Sequence, residues 1–220
     1  MQYLLFSILS LFSFLFVKKQ PDTKNISDPK AKILLDEVSK KYKSFSSIDA
    51  KFTFQTENGQ QNKTTTENGR VYLKGEKYRV EIGKQIVICD NKSVWTYMKD
   101  INELQINDYE PNKDEITPSN MFTIYQNDFD YLMNADEAID KVNCAVVDLK
   151  PKKSDKPFFK VRIWIDKNAK YIKRMKIFDK NGNRYVYTVT SFNGKANLDD
   201  AIFKFDTSKY PGVKVEDLRM

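Results

Sequence analysis

A chain of 220 residues, 30% charged and 40% hydrophobic, has the composition of an ordinary globular protein, long enough to bury one sizeable core. It contains no histidine, which removes Ser-His-Asp and Cys-His catalysis and His-ligated metal sites, and two cysteines are too few for a four-thiolate zinc site. The net charge is +7, but acidic residues are interleaved with the lysines and no recognition motif accompanies them, so the charge reads as a solvated surface with weak attraction for anionic membranes, not as a nucleic-acid footprint.

In chain order, the run from Tyr3 to Val17 is apolar apart from serines. Its length suits a signal-peptide core and is short for a membrane span. No lysine precedes it, no A-x-A site follows, and no cysteine near its end offers a lipid anchor. Residues 1–20 read as a secretory signal, with an uncleaved anchor as the alternative, and 21–27 as a leader to a single domain over 28–220. "SDPKAKILLDEVSKKYKSF" then places Ala31, Leu34, Leu35, Val38, Tyr42 and Phe45 on one helical face. Asp28 is its N-cap and Pro29 its first residue.

From Ile48 the period changes to two. "IDAKFTFQTE" alternates, "NGQQNKT" is a hairpin turn, and "GRVYLKG", "EKYRVEIG", "KQIVICDNKSVWTYM" and "NELQINDYEP" continue an antiparallel meander. "TPSNMFTIYQNDFDYLM" interrupts it with a short helix carrying Met121, Phe122, Ile124 and Tyr125. Strands resume at "VNCAVVDLKPK", "FFKVRIWID", "YIKRMKIFD" and "NRYVYTVTSF", and "DDAIFKFDTSKYPGVKVEDL" ends the chain as a small strand and an extended tail. This gives about ten or eleven strands, with no βαβ alternation and so no parallel sheet and no dinucleotide fold. A long antiparallel sheet curls through its twist. Helices over its concave side would leave an apolar cavity. Some strands, "VWTYM" above all, are apolar on both faces, and parity alone leaves open which face turns inward. Cys89 and Cys144 could pair in an oxidising compartment or stand as two buried thiols. Without histidine, catalysis would need a carboxylate pair or a Ser-Lys site. The acidic residues sit in turns and polar strand positions, so the reading is a binding protein, not an enzyme, with no cofactor and no metal.

Several stretches in order resemble one family. "LLDEVSKKYKSFSSIDAKFTFQ" is similar to the opening helix and strand of the periplasmic lipoprotein carriers, the LolA family, and "ENGRVYLKGEKYRVEI" to their next strand pair. "QIVICDNKSVWTYMKDINELQI" resembles their xxIVxDGkxhWxYxPxhxQ pattern, "TPSNMFTIY" sits at their central helix, and "FKFDTSKYPGVKVEDLRM" resembles their ending. Gly75 and Glu76, flanked by Lys74 and Lys77, stand where the family has a basic residue and proline, a departure that leaves open whether the family's lid latch carries over.

The resemblance implies a mainly β fold with α, an unclosed β-barrel lidded by an N-terminal helix and a short central helix. It implies a monomeric periplasmic carrier that binds the acyl chains of lipoproteins and shuttles them from inner to outer membrane. The partners would be acylated lipoproteins, an inner-membrane ABC lipoprotein-release transporter and an outer-membrane receptor, with no nucleic acid. The alternative is a membrane-anchored lipid-binding or regulatory domain on the same scaffold. Burying three chains of about fifteen methylenes would be worth roughly 36 kcal/mol, beyond the roughly 20 kcal/mol at which non-covalent affinity saturates. A carrier therefore needs a broad, partly open cavity. The lining it implies is Phe52, Phe54, Leu73, Tyr78, Val80, Trp95, Tyr97 and Trp164 from strands, with Leu35, Val38, Met121, Phe122 and Tyr125 from the helices.

Overall fold

The structure, a computed structural model, describes residues 27–59, 61, 63–111, 116–126 and 129–220. The apolar N-terminal run and the leader up to residue 26 lie outside the described residues. Among those described, no helix is long and apolar enough to cross a membrane.

Helix α1 spans Pro29–Lys43. It starts where it does because the Asp28 carboxylate accepts a 2.7 Å hydrogen bond from the Lys30 N–H, while Pro29 gives up no donor the helix could use. Its buried face is Ala31, Leu35, Val38, Ser39 and Tyr42. Twelve strands follow: β1 (Ile48–Asn58), β2 (Lys63–Lys74), β3 (Lys77–Ile82), β4 (Gln85–Cys89), β5 (Ser93–Met98), β6 (Glu103–Asp108), β7 (Phe129–Ile139), β8 (Val142–Pro151), β9 (Phe158–Asp166), β10 (Ile172–Asp179), β11 (Asn183–Asn193) and β12 (Lys214–Asp217). They form one sheet in the order β12-β6-β5-β4-β3-β2-β1-β11-β10-β9-β8-β7, with β12 and β7 as its two edges. The α1 stripe shares one buried cluster with residues of β1–β4 and of β8–β10, which are far apart in that order. The sheet therefore wraps around the helix as an unclosed barrel, the curl its twist favours.

Several expectations need correction. β2 starts at Lys63 and pairs with β1 along its whole length, Asn58 opposite Lys63. Its first half is the exposed run "KTTTEN", whose β-branched threonines favour a strand without the alternation that a buried face imposes. The segment after Thr117 is a series of turns ending in one 3-10 turn, Ile124–Gln126, and not a helix. "FDYLM" within it begins β7, an edge strand whose bulge between Asn134 and Glu137 breaks the period. Finally, β12 pairs in parallel with β6, Val215 opposite Leu104. A βαβ unit is not required, because residues 198–213 cross over the outside of the sheet before returning to its edge.

That crossing covers the outer face of β4–β6. Ile86, Ile88, Tyr97, Leu104, Ile106 and the wholly buried Phe203 form a second apolar cluster, against which Trp95, Leu198, Ile202, Phe205, Tyr210 and Val213 pack. Tyr97 lies 4.5 Å from the ring of Tyr210 and 5.2 Å from that of Phe205. Lys74 and Lys77, which flank the tight β2–β3 turn at Gly75 (φ 60°), both reach Asp200, at 2.8 and 3.2 Å. The basic residues of this hairpin thus clamp the outer cover. A third, smaller cluster holds Ile139, Cys144, Val146 and Trp164. Cys89 belongs to the inner core and Cys144 to this outer cluster, and both are free, buried thiols.

Candidate functional site: an apolar cavity between sheet and lid

The helix covers only part of the concave face. Between α1, the segment 116–122 and the strands β1–β4, β10 and β11 there remains a cavity of about 320 Å³. Its floor follows from strand parity. Ile48, Ala50 and Phe52 alternate inward on β1, Val71 and Leu73 on β2, and Tyr78, Val80 and Ile82 on β3. Val87, Ile172, Met175, Ile177, Tyr187, Val189 and Phe192 extend the floor, while Tyr42, Ile116, Thr117, Pro118, Met121 and Phe122 form the roof. Phe52 can lie flat across β2 because its cross-strand partner is Gly69, where a Cβ would stand 2.4 Å from the ring.

Among the described residues, none that lines the cavity carries a carboxylate, ammonium, guanidinium or thiol. Burial pushes the Tyr187 and Tyr42 phenols up from their ordinary values, so both stay neutral. Tyr42 spends its hydroxyl by accepting a 3.1 Å hydrogen bond from the Ile172 N–H. The lining can therefore take up hydrocarbon.

Phe122 and Tyr125 tie the roof to α1. The ring of Phe122 stacks on Tyr42 with centroids 3.4 Å apart, and the Tyr125 hydroxyl donates to Asp36 at 2.7 Å. Lys32 pairs with the same carboxylate at 2.6 Å. The Lys32 ammonium, then the Tyr125 hydroxyl, hold Asp36 below the ordinary carboxylate value. A depressed folded-state value means that stability is present above the unfolded-state value and is lost as pH falls through the folded one. Thermal unfolding of the wild type between pH 5 and pH 3 should thus lose more midpoint than that of Asp36→Asn, whose amide does not titrate. Equal losses in the two proteins would remove Asp36 as the acid-sensitive tie.

The structure brings together six of the thirteen residues expected to line a cavity: Phe52, Leu73, Tyr78, Val80, Met121 and Phe122. Leu35, Val38 and Tyr125 sit beside it, in the solid core under the lid. Phe54 lies two residues beyond Phe52, half-buried, its ring 4.9 Å from Tyr187 and 6.3 Å from Tyr185. Trp95 and Tyr97 face the other side of the sheet, under the 198–213 crossing. Trp164 also faces outward, donating its indole N–H to Glu137 at 2.8 Å with Arg162 and Arg174 each 5.9 Å from the ring. The residues missed include a whole wall from β10 and β11, among them Met175, Ile177, Tyr187 and Val189. Their alternation with Arg174, Lys176, Arg184 and Thr188 was the available signal.

The family described as "Outer membrane lipoprotein carrier protein LolA" matches residues 43–206, about three quarters of the chain. Among solved structures, an uncharacterized conserved protein from Thermus thermophilus superposes with a TM-score of 0.57 at 17% identity, covering 86% of this chain and 99% of that one. LprF from Mycobacterium bovis gives 0.46 at 13% identity, over 79% of this chain and 97% of its own. A LolA superfamily protein from Nitrosomonas europaea gives 0.42 at 13%, over 80% and 97%. At 17% identity the likeness to the Thermus protein is one of fold. No curated protein matches the sequence. With its barrel, lid and charge-free hollow in place, and with most of its length matched, the chain belongs to the LolA family.

Proposed function

We propose that the protein is a periplasmic carrier that takes the acyl chain of a lipoprotein into this cavity and shuttles the lipoprotein from the inner to the outer membrane. The observation that carries the reading is the cavity itself, whose described lining is aliphatic and aromatic and carries no formal charge, roofed by a segment that meets α1 through Phe122 and Tyr125. The family's description and the apolar N-terminal run support the compartment and the cargo.

Size refines the reading. A cavity of about 150 Å³ holds one benzene, so 320 Å³ takes about a dozen carbons, one alkyl chain and not three. At about 0.8 kcal/mol per methylene, a dozen are worth about 10 kcal/mol, well short of the roughly 20 kcal/mol where binding saturates. Such a carrier holds its cargo firmly yet can release it to a receptor. The remaining chains of a multiply acylated cargo would lie at the mouth, along Phe54 and Tyr185.

The test is native mass spectrometry with a synthetic N-acylated lipopeptide and the same peptide without its acyl group. The acylated peptide should give a stable one-to-one complex and the bare peptide none. Equal binding of the two, or binding of neither, would overturn the carrier reading. Tryptophan fluorescence is a poor reporter here, since Trp95 and Trp164 both face away from the cavity.

A further inference from the structure

A second hollow, of about 520 Å³, opens at the C-terminal end of α1. It shares two wall residues, Val189 and Phe192, with the inner cavity, so the Phe192 side chain is the partition between them. Its floor is aromatic. Tyr171 stacks on Phe192 with centroids 5.2 Å apart and planes within 3°, and Phe45 leans on the same ring at 5.5 Å. Gly194 makes room for Phe45, since a Cβ there would stand 2.5 Å from the ring.

The charge of this outer hollow differs from that of the inner one. Lys41 and Lys195 line it, and among the described residues no carboxylate does. The Lys41 ammonium lies 5.6 Å over the Phe45 ring. Among the described residues neither ammonium has an ion-pair partner, unlike Lys170 nearby, which pairs with Glu37 at 3.0 Å. A charge-free hollow and a cationic one thus meet at one aromatic ring, which is the polarity of a hydrocarbon tail joined to an anionic head.

We propose that the outer hollow receives the anionic head, phosphate or carboxylate, of a single-chain amphiphile whose tail occupies the inner cavity. The assignment rests on the acyl-binding reading above and adds a head-group preference to it. Lys41 and Lys195 hold the head, the Phe45–Phe192–Tyr171 floor supports the first carbons, and the chain passes Phe192 into the cavity.

The test is calorimetric titration, below micellar concentrations and at low ionic strength, with dodecyl phosphate, dodecanoate and the neutral dodecyl octaethylene glycol ether. Each is titrated into the wild type and into the double variant Lys41→Gln/Lys195→Gln. Both positions are exposed, so the variant keeps its core. The two anions should bind the wild type about tenfold more tightly than the ether, the scale of two exposed ion pairs. The double variant should erase that preference and leave the ether unchanged. Equal affinities in the wild type, or a preference that survives in the variant, would overturn the head site while leaving the acyl-binding reading intact. Failure of the ether and both anions alike would mean that the acyl reading has failed and the head site with it. Inorganic phosphate binding as tightly as dodecyl phosphate would make the hollow a site for free phosphate and overturn the amphiphile.

Discussion

Replacing Val80 with glutamate should weaken binding of a dodecanoyl ligand by more than a hundredfold. Val80 lies on the cavity floor between its cross-strand neighbours Val71 and Val87, all three lining the hollow. When the cavity is empty, water can reach the new carboxylate and the fold survives. When an alkyl chain enters, that water leaves and a lone charge remains against hydrocarbon, at an effective cost of several kcal/mol. A loss of about 2.7 kcal/mol already corresponds to a hundredfold. Trp95→Glu is the control, because Trp95 faces the opposite side of the sheet. It should retain ligand affinity within about twofold at a temperature where it is folded. A Val80→Glu protein that binds like the wild type, or a folded Trp95→Glu protein that does not bind, would mean that the two faces have been assigned the wrong way round.

The largest expected effect on stability is that of Phe203→Ala. Phe203 is 0% exposed at the centre of the outer cluster, touching none of the cavity. Truncating a buried phenylalanine costs about 3–5 kcal/mol. For a chain of this size each kcal/mol moves the midpoint by about 2–4 °C, so thermal unfolding followed by circular dichroism should fall by roughly 6–20 °C. Ligand affinity in the folded variant should be unchanged. A shift of less than about 2 °C would show that the 198–213 crossing adds little to the fold.

These two variants probe what was hardest to read from sequence. The helix was legible because Asp28-Pro29 marks its start and its apolar residues recur at helical spacing. The hairpins were legible from their turn residues. The orientation of β5 was not, because Val94 and Met98 are as apolar as Trp95 and Tyr97, and a strand buried on both faces has no polar side to declare. The information sat two strands away. On β3, Lys77, Arg79 and Glu81 alternate with Tyr78, Val80 and Ile82, which fixes the inner face of that strand. Pairing then carries the parity across, Arg79 opposite Ile88 and Ile88 opposite Trp95. Trp164 could have been placed in the same way, since it shares its face with Lys160 and Arg162. The cover over Trp95 comes from a segment about a hundred residues later, and no local pattern reveals such a contact.

The outer crossing also has a consequence for when the chain can fold. Ile86, Ile88, Tyr97 and Leu104 remain uncovered until Phe203 and its neighbours arrive, so the meander cannot finish burying its greasy back while it is still being made. Covering of that face therefore waits for residues made about a hundred positions later in the chain, so its burial is a long-range step in folding.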